Sequence, residues 1–269
     1  MSVRFYTSAG PSWWPFQVVS LGNRRLPSRG EPGSYYFLVD NGMFRFYREG
    51  RRPDPDVWLD RLAVFVRRVE RLRQPAGLMV VLPDWLGDPG FTLDVAGGRR
   101  ARGLCRDYSC VGVAHAWGSL GGYRSAARDL ASVEWISVVA APLKLPCGRF
   151  SRRAGRLYVR SECQARIVRE VYEGAGEYGV PVHGLGLLLR PRHVAAVSGL
   201  LSSFDSSSWT RPINGLGRPA GWSAKNKREK EEYFAMALMK LLNAGVPLEL
   251  PKLPSRGGFL EAVEVVVNG

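Results

Sequence analysis

The sequence lacks a hydrophobic run long enough to cross a bilayer. No apolar stretch approaches the roughly 20 residues that a membrane-spanning helix needs, and the first residues lack the apolar core of a secretory signal. We therefore expect a cytoplasmic protein that does not enter membranes. Disorder is not expected either, because 45% of the 269 residues are hydrophobic, which is enough for one large core.

The sequence is also poor in the residues that bind metals. The cysteines are Cys105, Cys110, Cys147 and Cys163; none forms a Cys-x2-Cys pair, and no close histidine completes a zinc pattern. We expect no metal and no cofactor. Buried free thiols are the expected state in a cytosolic protein, whereas disulfides would fit a hyperthermophilic source.

Several common motifs are missing as well. There is no P-loop, no G-x-G-x-x-G, no H-E-x-x-H and no G-x-S-x-G. Nothing in the sequence therefore points to P-loop nucleotide hydrolysis, dinucleotide binding, zinc proteolysis or a serine esterase.

Acidic residues are outnumbered by basic ones. The chain has 38 lysines and arginines against 24 aspartates and glutamates, a net charge of +14. Such an excess favours a polyanionic partner, most simply nucleic acid, although a generally basic proteome is the alternative. Basic clusters and eight tryptophans predict a phosphate-binding surface with stacking platforms. The residues expected to contact the backbone of the nucleic acid are Arg211, Arg218, Lys225, Lys227 and Arg228.

Short β-rich runs alternate with helical patterns, which predicts parallel strands joined by helices. The predicted strands are Val3–Thr7, Tyr35–Asp40, Leu78–Leu82, Val111–His115, Trp135–Ala140, Val182–Leu188, Ser202–Asp205 and Val246–Leu250. The clearest predicted helices are Asp56–Arg73, Ser119–Ala131, Glu162–Tyr178 and Lys225–Asn243. Length and alternation favour an α/β fold, a single (β/α)8 TIM-type barrel over residues 1–269, with an open doubly wound sheet as the alternative.

Three aspartates stand where predicted strands end. Asp40 closes FLVD, Asp84 closes VVLPD and Asp205 closes SSFD. Parallel-barrel enzymes build their active sites at the C-terminal ends of the strands, and a buried acid is costly, so three in equivalent places suggest one shared site. The alternative for each is a helix cap. A fixed, ionised Asp205 could attack an anomeric carbon and form a glycosyl intermediate.

Other candidates lie near further strand ends. His115 closes the run VGVAHAW, and its ring could hydrogen-bond a base or transfer a proton; a satisfied core histidine is the alternative. Gly184 and Gly186 interrupt the strand HGLGL, which indicates a bulge or a close backbone approach.

Taken in order, these segments resemble the tRNA-guanine transglycosylases that insert queuine or archaeosine precursors, and their DNA-modifying relatives that insert 7-deazaguanines. DNGMF resembles the family's D-S-G-G-F segment, and VVLPD its second apolar run ending in an acid. VHGLGL resembles the later L-x-G-x-G strand, and SFDSSSWTRP the segment that carries the nucleophilic aspartate. The resemblance spans about Tyr35 to Arg211.

The resemblance implies a pentosyltransferase that exchanges guanine for a 7-deazaguanine base in DNA or tRNA through a covalent aspartyl-glycosyl intermediate. By position, Asp205 is the nucleophile, and Asp40 is the acid/base or a carboxylate that gates the base. Asp84 reads the Watson–Crick edge of the purine, and His115 stands where the family has a glutamine. Gly184 and Gly186 would shape the wall of the base pocket. Independently of the resemblance, Trp85, Trp117 and Trp209 follow three predicted strand ends, and their rings could hold a nucleotide that has left its stack.

The chain also departs from the family. The zinc site that follows the family's nucleophile has no counterpart, because no cysteine follows Cys163, and no RNA-binding domain is appended. The choice between DNA and tRNA as the substrate is therefore left open. The sequence also leaves open whether the protein forms a homodimer. Two other functions stay open: a nucleic-acid-binding protein on a catalytically altered scaffold, and a hydrolase of nucleosides or other N-glycosides.

Overall fold

Eight parallel strands form one sheet that curls into a nearly closed barrel. A computed structural model describes residues 2–8, 10–11, 13–22, 26, 35–116, 119–144, 146–151, 156–206 and 227–250. The barrel strands are β1 (Arg4–Tyr6), β2 (Phe16–Ser20), β3 (Tyr36–Asp40), β4 (Gly77–Val81), β5 (Ser109–Val113), β6 (Ile136–Pro142), β9 (Val182–Leu185) and β10 (Ser203–Asp205). They pair in chain order, and β1 meets both β10 and β2. The (β/α)8 fold predicted from the sequence is confirmed.

The prediction of the eighth strand was wrong. The strand beside β1 is β2, which the sequence analysis did not identify, and Val246–Leu250 makes a single bridge, between Leu248 and Val3. The Val3 N–H donates to the Pro247 carbonyl at 2.7 Å, and the Glu249 N–H donates to the Val3 carbonyl at 2.9 Å. Since proline has no N–H, the ladder cannot continue through Pro247.

Helices cover the outside of the barrel. They are α1 (Met43–Glu49), α2 (Pro55–Arg73), α3 (Pro89–Gly97), α4 (Arg99–Cys105), α5 (Gly121–Ala131), α6 (Ser161–Gly176), α7 (Pro191–Ser198) and α8 (Lys227–Asn243). The four helices predicted from periodicity are present, with ends shifted by no more than two residues. A hairpin of β7 (Gly148–Ser151) and β8 (Arg156–Val159), not predicted, stands between β6 and α6.

Helices α5 and α6 cross at close range because Gly174 has no side chain. A Cβ atom at this position would lie 2.2 Å from the Arg124 carbonyl oxygen of α5. Arg124 also pairs across the same contact with Glu170 and Glu173 of α6. The glycine therefore fixes the distance between two helices of the outer layer.

Aromatic rings join α8 to the first strand. The Phe5 ring stacks on Phe204 at 5.0 Å and on Phe234 of α8 at 5.8 Å between centroids. The Trp14 indole lies edge-on to Phe234 at 5.2 Å and donates its N–H to the Phe5 carbonyl. The helix therefore packs on the outer side of β1, and in the described part of the chain no helix separates β1 from β2.

All four cysteines are paired in the structure, which corrects the expectation of free thiols. Cys105 bonds to Cys110, and Cys147 bonds to Cys163. The chain returns sharply between the end of α4 and β5, which brings the first pair to a Cα separation of 5.3 Å; the second pair, at 5.5 Å, joins the β7 hairpin to the first turn of α6. None of the described helices has the length and apolarity to cross a membrane.

Candidate active site

The three aspartates lie at the same mouth of the barrel. Asp40 is the last residue of β3 and Asp205 the last of β10, while Asp84 lies in the loop after β4. All three strands are parallel, so these ends open on one face. Both Asp84 and Asp205 act electrostatically on Asp40 and raise its pKa, as expected for carboxylates that share one mouth.

Asp40 holds its proton more tightly than an ordinary aspartate. Burial, followed by repulsion from Asp84 and Asp205, raises its pKa to about 6. Hydrogen bonds from the Gly42 N–H, at 3.3 Å, and from the Ser20 hydroxyl at the end of β2 act in the opposite direction. A carboxyl group with this pKa can give up or accept a proton near neutral pH.

The turn after Asp40 fixes the neighbouring loop as well. The buried Asn41 amide donates at 2.6 Å to the Leu82 carbonyl and also at 2.6 Å to Asp84 Oδ1. Its side-chain oxygen accepts the Met43 N–H at 2.8 Å. Gly42 follows with φ of 72°, a conformation that costs a residue with a side chain about 1 kcal/mol or more. The Asn-Gly pair therefore ties the end of β3 to the end of β4.

Asp84 is held on both of its oxygens. Oδ1 accepts from Asn41, and Oδ2 lies 2.6 Å from Nε2 of His115, a buried residue that follows β5. The other nitrogen of His115, Nδ1, is buried and has no hydrogen-bond partner within the described residues. A buried polar atom without a partner costs about 1–3 kcal/mol and is uncommon in a purely structural contact. Asp84 thus presents rigid acceptor oxygens at the mouth.

Asp205 is anchored through one oxygen. Oδ1 accepts the Gly186 N–H at 2.8 Å and lies 3.2 Å from Nε2 of His183. With the carboxylate ionised, His183 carries its proton on Nε2, and Nδ1 accepts the Ser203 hydroxyl at 2.8 Å. Among the described residues no donor reaches Oδ2, so Oδ1 is the oxygen that they anchor. The sequence analysis gave His183 no role.

Two glycines that the sequence singled out have different surroundings. Gly186 adopts φ of 75° and donates to Asp205, so it belongs to the site. Gly184 lies two residues earlier, within β9, and a Cβ there would meet Leu201, Phe204 and Leu143. These neighbours are core side chains, so packing alone accounts for a glycine at position 184.

The sequence analysis missed Lys144, which reaches across the mouth. It follows β6, and its Nζ lies 5.1 Å above the ring of Phe44 in α1, after β3. A Cβ at Gly186 would lie 3.2 Å from the Lys144 Cβ. The lysine stem therefore stands beside the donor to Asp205. No local pattern marks such a residue, because its contacts come from distant segments.

Trp85, the first tryptophan implied in base binding, directly follows Asp84 and is half-buried. The ring of Tyr47 lies edge-on to it at 5.9 Å, and the Arg52 guanidinium lies 4.9 Å from its centroid. Lys227 and Arg228 begin α8. The other residues expected to bind base or backbone lie outside the described residues: Trp117, Trp209, Arg211, Arg218 and Lys225.

No group of histidine, cysteine, aspartate and glutamate side chains within the described residues could hold a metal ion. Within the described residues, the mouth offers the three carboxylates, His115, His183 and Lys144 as its chemical groups.

Comparisons with known proteins give little functional information. No protein-family model and no curated protein matches the chain. The glycoside hydrolase domain of PelA from Pseudomonas aeruginosa is 13% identical, with a TM-score of 0.41, and the match covers 77% of this chain and 95% of that one. A protein from Coccidioides immitis described as a candidate fructose-1,6-biphosphate aldolase is 10% identical, with a TM-score of 0.41 and coverage of 91% and 89%. Neither likeness is close enough to carry an argument about function.

Proposed function

We propose that the protein is a base-exchange enzyme of the tRNA-guanine transglycosylase type, which replaces guanine in a nucleic acid by a 7-deazaguanine. The observation that carries the proposal is the difference between three carboxylates at one mouth. Asp205 is anchored through one oxygen, Asp40 has a pKa of about 6, and Asp84 is held on both oxygens. These are the surroundings that a nucleophile, a proton carrier and a base-reading acceptor need.

Asp205 is suited to attack the sugar. Its Oδ2 forms a bond to C1′ while the bond from C1′ to the guanine nitrogen breaks, which gives a covalent glycosyl-enzyme. Donation from Gly186 and His183 to Oδ1 fixes the rotamer of the carboxylate. The incoming base then attacks C1′ from the opened side and displaces the carboxylate.

Asp40 can carry the proton between the two half-reactions. As the neutral acid it gives a proton to the departing guanine, and as the carboxylate it takes one from the ring N–H of the incoming base. The cycle returns Asp40 to its starting state, and no oxidant or cofactor is required. A pKa of about 6 keeps both forms populated near neutral pH.

Asp84 can read the base. Its two fixed oxygens match a pair of N–H donors, such as the ring amide and exocyclic amino groups on the Watson–Crick edge of guanine or a 7-deazaguanine. His115 and Asn41 hold these oxygens in place, so discrimination comes from a rigid acceptor. A base without the two donors would leave the remaining acceptor positions of the Asp84 oxygens unpaired, which is costly.

The charge of the chain supports a polymeric substrate. A net charge of +14 attracts phosphate backbones and is not needed for binding a free nucleoside. The target nucleotide would have to leave its stack to reach carboxylates inside a barrel mouth. We therefore favour exchange within DNA or tRNA over hydrolysis of free nucleosides.

The test is incorporation of labelled guanine, followed by its displacement by a 7-deazaguanine, with tRNA, single-stranded DNA and duplex DNA as separate substrates. Asp205→Asn should lower the rate at least about a thousandfold, because the nucleophile is lost. The matched control is Asp94→Asn, on the exposed side of α3, which should leave the rate unchanged. Denaturing electrophoresis should show a covalent adduct with wild type and none with Asp205→Asn.

Three results would overturn the proposal. An Asp205→Asn variant that exchanges base as fast as wild type would exclude this nucleophile. Release of guanine without incorporation of any base would assign the site to N-glycoside hydrolysis. Binding without exchange of any tested base would indicate a catalytically altered scaffold.

A further inference from the structure

One face of α1 exposes aromatic rings beside an arginine. Phe44 and Tyr47 are 42% and 40% exposed, which is high for large hydrophobic residues. Residues three and four apart share a helix face, so Tyr47 and Arg48 lie on the same side of α1 as Phe44. Arg48 is exposed, and within the described residues it has no ion-pair partner. This face therefore offers stacking surface and an unneutralised charge.

The surface continues from α1 onto the loop after β4. Tyr47 contacts the Trp85 ring at 5.9 Å, and Arg52 lies over the rings of both Trp85 and Phe91, at 4.9 and 4.7 Å. Asp88 pairs with the same guanidinium at 2.7 Å and fixes it further. An arginine held over rings can still direct its outward N–H groups to an anion. We call Tyr47, Arg48, Arg52 and Trp85 the α1 platform.

The α1 platform borders the candidate active site. Trp85 is bonded in sequence to Asp84, and α1 begins three residues after Asp40. Lys144, from the opposite side of the mouth, rests on the Phe44 ring at the start of the same helix. A polymer with one nucleotide in the mouth would therefore have its adjacent nucleotides over or near this surface.

We propose that the α1 platform binds the single-stranded segment next to the exchanged nucleotide, with a flanking base against Tyr47 and its phosphate on Arg48. The proposal rests on the proposed function for the nucleotide in the mouth. Charge selects the occupant: residues 45–52 contain four arginines and one glutamate, beside three exposed or half-buried rings. Rings with cations suit unpaired nucleotides, since stacking is tolerant of sequence and the cations take the phosphates.

The experiment is fluorescence anisotropy with a labelled single-stranded oligonucleotide, in DNA and RNA forms, over a series of salt concentrations. Tyr47→Ala should weaken binding about tenfold by loss of one stacked base. Arg48→Gln should lower the slope of log affinity against log salt by about 0.7, the value for one phosphate contact on a single strand. Duplex DNA of the same sequence should bind more weakly and respond less to Tyr47→Ala.

The outer helix α6 supplies matched controls. Tyr172 is 44% exposed and lies three residues after Arg169, which is also exposed, so the pair repeats the chemistry of the α1 face elsewhere on the barrel. Tyr172→Ala and Arg169→Gln should leave affinity and salt slope unchanged. In exchange assays, Tyr47→Ala should raise KM for the polymer and leave KM for the free base unchanged.

The outcomes separate this inference from the proposed function. Equal losses from Tyr47→Ala and Tyr172→Ala, or no loss from either, would overturn the platform. If Tyr47→Ala raises KM for the free base, Tyr47 belongs to the base pocket instead. If Tyr47→Ala changes the sedimentation of the protein, the face is a contact between copies of the chain. Tyr47-dependent binding without exchange would leave the platform standing and remove the proposed function.

Discussion

Replacing Asp40 by asparagine should stabilise the protein, and the gain should depend on pH. The pKa of this carboxyl is raised from 3.8 to about 6, chiefly by burial. Between these values the folded protein binds a proton that the unfolded chain has lost, so stability falls as pH rises through this window. Above about pH 6 the ionised carboxylate is a full cost to the folded state. Asp40→Asn carries no such cost at any pH.

The expected size follows from the same two pKa values. At about 1.4 kcal/mol per pKa unit, the change corresponds to about 3 kcal/mol at pH 7 and above. Asp40 keeps some contact with solvent, which screens its charge, so we expect a measured gain of about 1–3 kcal/mol. Below about pH 4 Asp40 is protonated in both the folded protein and the unfolded chain. The difference in the free energy of unfolding between variant and wild type should then disappear.

The measurement is the free energy of unfolding in urea for wild type and Asp40→Asn, from pH 4 to 7.5. Asp94→Asn, an exposed change of the same chemistry, should show no such pH-dependent gain. A difference between Asp40→Asn and wild type that stays constant across the range would refute the reasoning, because it would mean that Asp40 does not titrate near 6. In the exchange assay, the rate of Asp40→Asn should lack the change with pH near 6 that the wild-type rate shows.

Three further predictions concern packing, backbone and cross-links. Gly174→Ala should lower the free energy of unfolding by about 2 kcal/mol or more, since its Cβ would overlap a carbonyl of α5, whereas Gly176→Ala, which meets nothing within 4 Å, should have little effect. Gly186→Ala and Gly179→Ala should each cost about 1 kcal/mol for their positive φ, but the Gly186 change alone should slow exchange in a kinetic assay. Cys147→Ser should remove about 3 kcal/mol, as expected for a loop of 16 residues, and a wild-type melting temperature that does not fall under reducing conditions would contradict this.

The sequence predicted the barrel because its buried strands are short apolar runs between helical patterns. It also predicted the three acids, since each directly follows such a run. It did not predict β2, whose residues FQVVS follow β1 without an intervening helix and so break the expected alternation.

The interactions that distinguish the three acids could not be predicted, because they join segments far apart in the chain. Asn41 meets Asp84 across 43 residues, and His183 meets Asp205 across 22. Lys144 reaches Phe44 from the other side of the mouth. Nothing in the local pattern specifies these partners. The pairing of the cysteines could not be predicted either, because it depends on how the chain turns back after α4 and after the β7 hairpin.

The closing of the barrel has a consequence for how the protein folds. Strand β1 pairs with β10, and Arg4 forms an ion pair with Glu249, 245 residues further along the chain. Bringing such distant residues together carries a large loop-closure entropy, so these contacts are expected to form late and slowly. Until they form, β1 and β10 both present unpaired edges, which are sites of aggregation. The step that completes the ring, and sets Asp205 opposite Asp40, is therefore also the step at which the chain is most vulnerable.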